Sequence, residues 1–493
     1  MMETKNFLLL GNGKSIPFAS VPELPVAEFS KVCLTSITAE KCRIAAFFAV
    51  PEDDRFILTA ILGDPAAAGF RVLKTVVKER YPSLTAHYPG FNRFEREIHE
   101  LYGIVPEGHP ALKPLRFVNT QVGDMEFYRM QGKAIHEVAV GPVHAGVIEP
   151  GHFRFECMGE TVYSLEISLG YQHRGVEKLL QGGPDRRTGF LIETAAGDSS
   201  IAASINYCRI MESLCGIGLS DPAVKIRQIA LELERCANHI GDLGALAGDV
   251  AFLPTASFCG RIRGEYLNMS ADLCGNRFGR NFIIPGGCRY PVDQEKAKKI
   301  TRKLQTVSRE LWNALDLMFN SPTVLDRLEN TGSVSLEDAR SLGLVGVAAR
   351  ACGLDADARR DFPVAGEKTT GSLPVDNYNG DVISRAKVRY EELKKSHDFL
   401  FAALAEIPEN GAVISQELTP APDMLAVSVT EAWRGELCHA AVTGSDGKFR
   451  VLKIVDPSFH NWEGLAMALR NEEIAHFPIC NKSFNLSYCG HDL

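Results

Sequence analysis

The densest set of side chains that could do acid–base chemistry lies between residues 141 and 178. Among turn glycines it holds histidines, arginines and carboxylates, namely His144, Glu149, His152, Arg154, His173, Arg174 and Glu177. Burying such groups without partners is costly, and clusters of this kind often mark proton-handling or anion-stabilising sites. A buried salt-bridge network that only fixes the fold would use the same residue types, so both interpretations stay open here.

Two further clusters combine charged, aromatic and small residues. Residues 95–104, followed by 108–110, alternate charges and aromatics, which a solvated helix end would also do. The other cluster comprises residues 433–436, 456–462 and 481–493 at the C-terminus. Its last segment is rich in small and amide residues, which predicts a packed tail and not a frayed one.

The elements that must position these clusters follow from hydrophobic periodicity. Residues 1–125 predict a small α+β domain, with strands at 43–50 and 56–62 and a helix over 66–81. A connector at 126–136 leads to a mainly helical region, 137–493, with small β elements. Its predicted helices cover 221–241, 294–318 and 381–404, with a loop at 354–379. Short strands at 425–430, 439–443 and 449–455, a helix at 462–470 and an irregular tail complete the chain.

Composition and motif searches exclude several classes of protein. The net charge of −8 argues against a nucleic-acid binder, and no apolar run approaches the roughly 18 residues of a membrane span. Thirteen cysteines include no Cys-x-x-Cys pair, so the common zinc and redox spacings are missing. No signal-peptide core is visible, so we expect reduced, mostly buried thiols. Phosphate-binding-loop, zinc-protease, hydrolase and dinucleotide-binding motifs are also missing.

Taken together, the clusters resemble two known modules. Residues 95–110 are similar to the signature of the 30-kDa subunit of respiratory complex I. Residues 141–178, 221–249 and 433–462 resemble the 49-kDa subunit and its relative, the large subunit of group 4 membrane-bound [NiFe]-hydrogenases. The fusion in this order is similar to the formate-hydrogenlyase large subunit. The resemblance implies an α+β domain fused to a mainly α-helical, hydrogenase large-subunit-like domain.

The sequence departs from these hydrogenases at the metal ligands. The family holds nickel and iron through four thiolates in two Cys-x-x-Cys pairs, and the matching positions here are Ala196, Ser199, Ser487 and Gly490. Hydroxyls do not readily replace thiolates at such a soft centre. Cys489 lies one position away, but one thiolate could not hold the metals. We therefore expect a hydrogenase-related form without a metal site.

The match to complex I is also incomplete. That family binds a quinone headgroup with a histidine in the turn that corresponds to residues 144–152 and with a tyrosine aligned near Gly197. The histidines are present and the tyrosine is missing, with Asp198 beside its place. Asp198 is predicted to be a proton donor or a substrate contact.

The resemblance also implies roles for single residues. Glu149 matches the hydrogenase glutamate that relays protons, with His144, His152 and His173 as candidate second relays. Arg174 matches the arginine beside the [4Fe–4S] cluster of a partner small subunit, and Arg154 and Glu177 are assigned to the same cofactor-facing region. Four more arginines are expected to line the cavity or its acidic network: Arg277, Arg280, Arg350 and Arg385.

The expected protein is a large subunit in the peripheral arm of a complex I-like or hydrogenase-related oxidoreductase, at the cytoplasmic side of the membrane. The chain itself would bind no metal, and the expected acceptor is a quinone or another small molecule. Implied partners are an Fe–S small subunit, antiporter-like membrane subunits and ferredoxin-like carriers, without nucleic acid. Two hypotheses remain besides acceptor reduction coupled to ion translocation: a non-catalytic coupling subunit and, more remotely, an active [NiFe]-hydrogenase.

Overall fold

A computed structural model describes residues 6–144, 148–368, 378–407 and 418–493. The N-terminal part builds a four-stranded antiparallel sheet in the order β1-β5-β4-β3, flanked by helices α1 and α2. Strands β6 and β7 form a short parallel pair. The elements are β1 (Leu8–Leu10), β2 (Lys14–Pro17), α1 (Val26–Thr38), β3 (Arg43–Glu52), β4 (Arg55–Asp64), β5 (Gly69–Val77), β6 (Arg80–Pro82), α2 (Asn92–Tyr102) and β7 (Val105–Glu107).

One predicted element of this part is wrong. The two predicted strands are confirmed as β3 and β4, but residues 69–77 form strand β5 and not a helix. Val72 pairs with Ile61 of β4 in the antiparallel register. β-Branched residues such as Thr75 and Val76 favour a pleated, half-buried surface, and pairing across the sheet decided the conformation here.

The middle of the chain is mainly helical. It opens with an antiparallel sheet in the order β10-β9-β8, and strands β11 and β12 form a small hairpin. The elements are β8 (Ile135–Val140), β9 (His152–Met158), β10 (Thr161–Ser168), α3 (Val176–Leu180), α4 (Thr188–Glu193), α5 (Ser200–Cys215), α6 (Asp221–Asp249), α7 (Leu253–Cys274), β11 (Ile283–Ile284), β12 (Gly287–Cys288), α8 (Gln294–Phe319), α9 (Pro322–Leu328), α10 (Leu336–Ser341), α11 (Gly346–Ala351), α12 (Ala358–Asp361) and α13 (Val382–Ala405).

The three long helices predicted here are confirmed, with one extension. Helix α6 continues past Gly241, where the prediction ended it, to Asp249. A Cβ atom at Gly244 would lie 2.6 Å from the Cβ atom of Cys259 on α7. The glycines of α6 therefore allow close helix packing and do not end the helix. The predicted loop at 354–379 contains the short helix α12, and residues 369–377 lie outside the described residues.

The C-terminal part folds back onto the N-terminal part. Its sheet has the order β15-β14-β13-β2, so strand β2 from the start of the chain pairs with β13. The elements are β13 (Met424–Ala432), β14 (Gly435–Thr443), β15 (Phe449–Val455), α14 (Pro457–Ala468), α15 (Phe477–Phe484) and α16 (Tyr488–Asp492). The predicted strands are confirmed. The tail is packed as predicted, but it is helical in α15 and α16 and not irregular.

Two hydrophobic cores hold these parts together. The larger one lies among the long helices, and the smaller one joins the N-terminal sheet to residues of the C-terminal sheet, such as Leu425 and Val442. Together with the pairing of β2, this means that the two ends of the chain share packing. The domain boundaries at residues 125 and 137 stay a prediction. None of the helices in the described ranges is long and apolar enough to cross a membrane.

Candidate functional site

The candidate site is centred on an ion pair between Asp198 and Arg434. Asp198 lies in the turn before α5, and Arg434 lies in the turn between β13 and β14. The Arg434 Nη1 and Nη2 atoms donate to the two Asp198 carboxylate oxygens at 2.7 and 2.8 Å, and the guanidinium lies 3.8 Å from the centre of the Trp433 ring. Burial opposes ionisation of Asp198, but the Arg434 charge outweighs it and lowers the pKa of this carboxyl. Asp198 is therefore suited to hold a hydrogen-bond donor and not to give up a proton.

The four positions that correspond to metal ligands lie in two segments beside this pair. Ala196 and Ser199 are buried in the turn before α5, and Ser487 and Gly490 are buried at the start of α16. The Ser487 Oγ atom accepts a hydrogen bond from the Gly490 N–H at 2.9 Å. A Cβ atom at Gly490 would lie 2.6 Å from the Asp456 Oδ2 atom. The Asp456 carboxylate therefore occupies the space that a side chain at position 490 would need.

Donor chemistry and geometry both disagree with a nickel–iron centre at this place. The four positions supply no thiolate, and the nearby Cys489 thiol is held in its protonated form because burial, with the Glu149 carboxylate, raises its pKa to about 11. The Cys489 Sγ atom lies 3.3 Å from Ser487 Oγ. Within the described ranges, no group of three or more His, Cys, Asp or Glu side chains could hold a metal ion.

Glu149 contacts the C-terminal segment. Its Oε2 atom accepts the backbone N–H of Tyr488 at 3.0 Å, and its carboxylate is also hydrogen-bonded with Cys489. Burial, with this carboxylate as a smaller cause, raises the pKa of the Tyr488 phenol to about 12. The structure thus places the predicted relay glutamate against the second of the two segments.

The three predicted relay histidines are each fixed through one ring nitrogen. His144 Nε2 lies 3.0 Å from the Gly151 carbonyl, His152 Nδ1 lies 3.1 Å from the Gly141 carbonyl, and His173 Nδ1 lies 2.8 Å from the Asp492 carbonyl. Each of these nitrogens must donate. The His152 Nε2 atom is buried and has no hydrogen-bond partner among the described residues, so it carries a lone pair that can accept a proton.

Arg174 joins the two segments of the site through their backbone. Its guanidinium donates to the carbonyls of Thr194, Ala195 and Cys489 at 2.6, 3.1 and 3.2 Å, and the residue is exposed at the surface. The Arg174 guanidinium is thus an exposed cation that spans both segments, and its place beside a partner's cofactor stays a prediction.

The remaining predicted residues lie at the surface, in ion pairs or, for Arg385, in buried hydrogen bonds. Arg280 is exposed, and its Nη2 atom lies 3.2 Å from where a Cβ atom of Gly197 would be; Arg277 is also exposed. Arg154 pairs with Glu137 at 2.7 Å, and Glu177 accepts from Lys453 at 3.0 Å. Arg350 lies in a buried ion-pair network, and Arg385 donates to Ser483 and to two backbone carbonyls. Of these, only Arg280 is placed at the candidate site.

Three charged residues of the site were given no role by the sequence. Arg434 and Asp456 lie within the C-terminal cluster, which was noticed as a whole. Glu234 on α6 gave no signal, since it falls in an ordinary amphipathic pattern. Its carboxylate accepts the N–H groups of Ile201 and Ala202 at 2.7 and 3.2 Å. Burial, aided by the Asp198 charge, raises the pKa of Glu234 to about 8.

Comparison with known proteins agrees with this architecture. Residues 26–123 match the family described as respiratory-chain NADH dehydrogenase, 30 Kd subunit, and residues 249–424 match the 49 Kd subunit family. The chain is 29% identical to formate hydrogenlyase subunit 5 of Escherichia coli (strain K12), over 88% of this chain and 80% of that protein. It is 28% identical to a carbon monoxide-induced hydrogenase of Rhodospirillum rubrum, over 71% and 97%. It is also 28% identical to an NADH-quinone oxidoreductase subunit of Bacillus anthracis, over 68% and 93%.

Two parts of this one polypeptide thus match the 30-kDa and the 49-kDa subunit families of complex I. It is homologous to subunits of oxidoreductase complexes, both hydrogenases and NADH-quinone oxidoreductases.

Proposed function

We propose that this chain is the large peripheral subunit of a membrane-associated, complex I-like or hydrogenase-related oxidoreductase. It passes electrons from an adjacent [4Fe–4S] subunit to a quinone or another small acceptor, and the complex couples this transfer to ion translocation at the cytoplasmic face of the membrane. Membrane antiporter-like subunits and ferredoxin-like carriers are the expected further partners.

One observation carries the proposal. The site keeps its polar groups, with Glu149 and the Asp198–Arg434 pair at the two segments, while the space at Gly490 is occupied by the Asp456 carboxylate. A nickel–iron centre does not fit these residues. The candidate site supplies polar groups and no thiolate ligands, and this donor set suits an organic acceptor better than a nickel–iron centre.

Reduction of a quinone takes up two electrons and two protons, and different side chains of the site serve different steps of it. The Arg280 guanidinium beside Gly197 offers hydrogen-bond donors to a carbonyl oxygen of the acceptor. Glu149 and the free Nε2 lone pair of His152 hold and move protons. The exposed Arg174 places a positive charge toward the partner's cluster, which favours arrival of electrons there.

A second candidate function is a non-catalytic coupling subunit. The position near Gly197 has no phenol, and both carboxylate oxygens of Asp198 are engaged by Arg434. These features argue against an acceptor-binding site and favour a subunit that transmits conformational changes within the complex. An active hydrogenase is the third hypothesis, and it is disfavoured because the four metal-ligand positions supply no thiolate.

Redox titration of the purified complex with quinones separates these functions. We expect quinone-dependent turnover that falls by about 10²-fold or more in Glu149→Gln, since losing one acid–base group typically costs this much. Glu137→Gln is the matched control, because Glu137 pairs with Arg154 away from the site, and it should keep wild-type turnover. Equal turnover in wild type and Glu149→Gln would defeat the role of Glu149, and no turnover with any acceptor would favour the coupling subunit.

A further inference from the structure

A cavity opens at the surface beside the candidate site, between helices α4 and α5 and the β11–β12 hairpin. Its volume is about 140 Å³, and its lining includes Arg186, Phe190, Glu193, Tyr207, Ile284 and Arg289. Asn281 also lines it and directly follows Arg280, which lies at the candidate site. None of the six lining residues named has a role in the proposed function.

One wall of the cavity carries a buried carboxylate with a free oxygen. Only 4% of the surface of Glu193 is exposed. Its Oε1 atom accepts the Asn281 N–H at 2.6 Å and the Ser204 hydroxyl at 3.1 Å. Its Oε2 atom has no hydrogen-bond partner among the described residues. Two donors therefore fix the orientation of this carboxylate, and its second oxygen stays available to a ligand.

A second buried polar group lines the same cavity. Tyr207 lies one turn after Ser204 on α5, and 7% of its surface is exposed. Its hydroxyl makes no hydrogen bond within the part of the chain that the structure describes, although buried tyrosine hydroxyls usually have a partner. Burial raises the pKa of this phenol, so it keeps its proton and can donate to a ligand.

The charge of Glu193 is incompletely compensated by the protein. Burial raises the pKa of this carboxyl, and it outweighs the hydrogen bonds from Asn281 and Ser204 and the charges of Arg280 and Arg289, all of which lower it. An ionised carboxylate in such surroundings is costly unless a cation pairs with it. A positively charged donor at the free Oε2 atom would remove that cost.

The exposed side of the cavity carries two cations. Arg186 and Arg289 both lie at the surface. The Arg289 Nε atom donates to the Asn281 carbonyl at 3.1 Å, which positions its guanidinium. Arg186 forms no ion pair with a described residue, whereas its neighbour Arg187 pairs with Asp185 at 3.0 Å. Guanidinium groups of this kind bind carboxylates through paired N–H donors.

Apolar groups and open space complete the lining. The ring of Phe190 is 54% exposed, and Ile284 adds an aliphatic surface. Gly189 lies on the wall, and a Cβ atom there would meet nothing within 4 Å. Since a water molecule needs about 10–15 Å³ by this measure, the cavity has room for a molecule of about ten non-hydrogen atoms.

We propose that this cavity is a binding site for a small α-amino acid with an apolar side chain. The ammonium group of the ligand donates to Glu193 Oε2, its carboxylate accepts from Arg186 and Arg289, and its side chain lies against Phe190. The opposite charges of these protein groups favour a zwitterion over a simple anion, which would leave Glu193 without a cation. This site does not rest on the proposed function, because it requires no electron transfer.

Isothermal titration calorimetry of the purified full-length protein with L-valine tests the site. L-Valine fits the volume and carries both charges and an apolar side chain, so we expect saturable binding with one site per chain. N-Acetyl-L-valine lacks the ammonium group and L-valinamide lacks the carboxylate. Each should bind about 10-fold more weakly or worse, because it loses one charge-assisted partner.

Variants with matched controls place the bound L-valine in this cavity. Arg186→Gln should weaken binding about 10-fold, and Arg187→Gln should bind like wild type because Arg187 pairs with Asp185. Gly189→Trp fills the open space on the cavity wall and should abolish binding. Gly260→Trp is its control, since this exposed glycine of α7 also has open surroundings but lies away from the cavity.

The carboxylate is tested by Glu193→Gln, which keeps the size of the side chain and removes its charge. We expect L-valine to bind about 10-fold more weakly to this variant, and if it does not fold, the Gly189→Trp and Gly260→Trp pair decides. No binding of L-valine to wild type would overturn the proposal. Equal binding of N-acetyl-L-valine, or unchanged binding of L-valine to folded Gly189→Trp, would also overturn it.

Discussion

At the residue scale, the candidate site is defined by which side chain occupies which space. The Gly490 position is the clearest case, because its neighbour Asp456 has the Oδ2 atom where a side chain would begin. Asp456 is itself fixed, since its Oδ1 atom accepts the N–H of Ser458 at 2.8 Å and caps α14. Glycine at 490 and aspartate at 456 therefore fit each other, and together they leave no room for a ligand side chain.

This fit predicts that Gly490→Ala destabilises the protein. The added methyl group would meet the Asp456 carboxylate at 2.6 Å, and overpacking of this kind costs about 1–3 kcal/mol. Gly260→Ala is the matched control, because a Cβ atom there meets nothing within 4 Å on helix α7. The control should gain about 0.5–1 kcal/mol from helix propensity. Denaturant unfolding measures both, and equal stability of Gly490→Ala and wild type would contradict the fit.

Single residues also show which features of the site could be predicted from the sequence and which could not. The residue types at 196, 199, 487 and 490 could be read directly, and so could the charged turn around Glu149. The partner of Asp198 could not, because Arg434 lies more than 200 positions away and only tertiary packing brings them together. That pairing lowers the pKa of Asp198, so the expectation of a proton donor at this position conflicts with its surroundings.

At the element scale, local signals predicted helices and failed where pairing or packing decided the outcome. Helices α8 and α13 were predicted within one or two residues, because each has a capping aspartate and a regular apolar stripe. Strand β5 was predicted as a helix, since its pairing with β4 is not visible in its own residues. The expected end of α6 at Gly241 was wrong because that glycine serves helix contact, where a Cβ atom would meet Arg263 at 2.9 Å.

Helix α2 shows that the burial of charged residues is also not visible in the local sequence pattern. Its alternating charges are also typical of a solvated helix end, yet Glu95 and Glu97 are almost fully buried. Glu95 accepts hydrogen bonds from residues 83–85, and Glu97 pairs with Arg116 and Lys453. The solvated interpretation is therefore wrong, and α2 is a buried element whose charges are satisfied by distant parts of the chain.

At the scale of the whole molecule, a buried cluster of ion pairs connects the N-terminal part to the middle and C-terminal parts of the chain. Lys453 of β15 lies 2.6 Å from Glu97 of α2 and 3.0 Å from Glu177 of α3. Arg116 donates to the His491 carbonyl at 2.8 Å, beside the same cluster. The turn that carries His173 and Arg174 lies directly before α3. Its position therefore depends on the contacts between the N-terminal and C-terminal parts of the chain.

This arrangement predicts a large effect for Lys453→Met. Removing the cation leaves two carboxylates short of a partner, and breaking a buried ion pair costs about 3–5 kcal/mol. We expect a lower unfolding midpoint and faster proteolysis around residues 118–134, where the chain has no regular helix or strand. Lys448→Met, at an exposed place in the turn just before β15, is the control and should stay within about 0.5 kcal/mol of wild type. A similar midpoint for both variants would show that the cluster does not fasten the two parts.

The candidate site of this molecule, which is homologous to hydrogenase subunits, is proposed to work without a nickel–iron centre. The nickel content of the purified complex, from cells grown with added nickel, tests it most directly. Because Ala196, Ser199, Ser487 and Gly490 supply no thiolate and Asp456 fills the adjoining space, we predict nickel far below one atom per chain. One nickel per chain, lost on Cys489→Ala, would contradict the account.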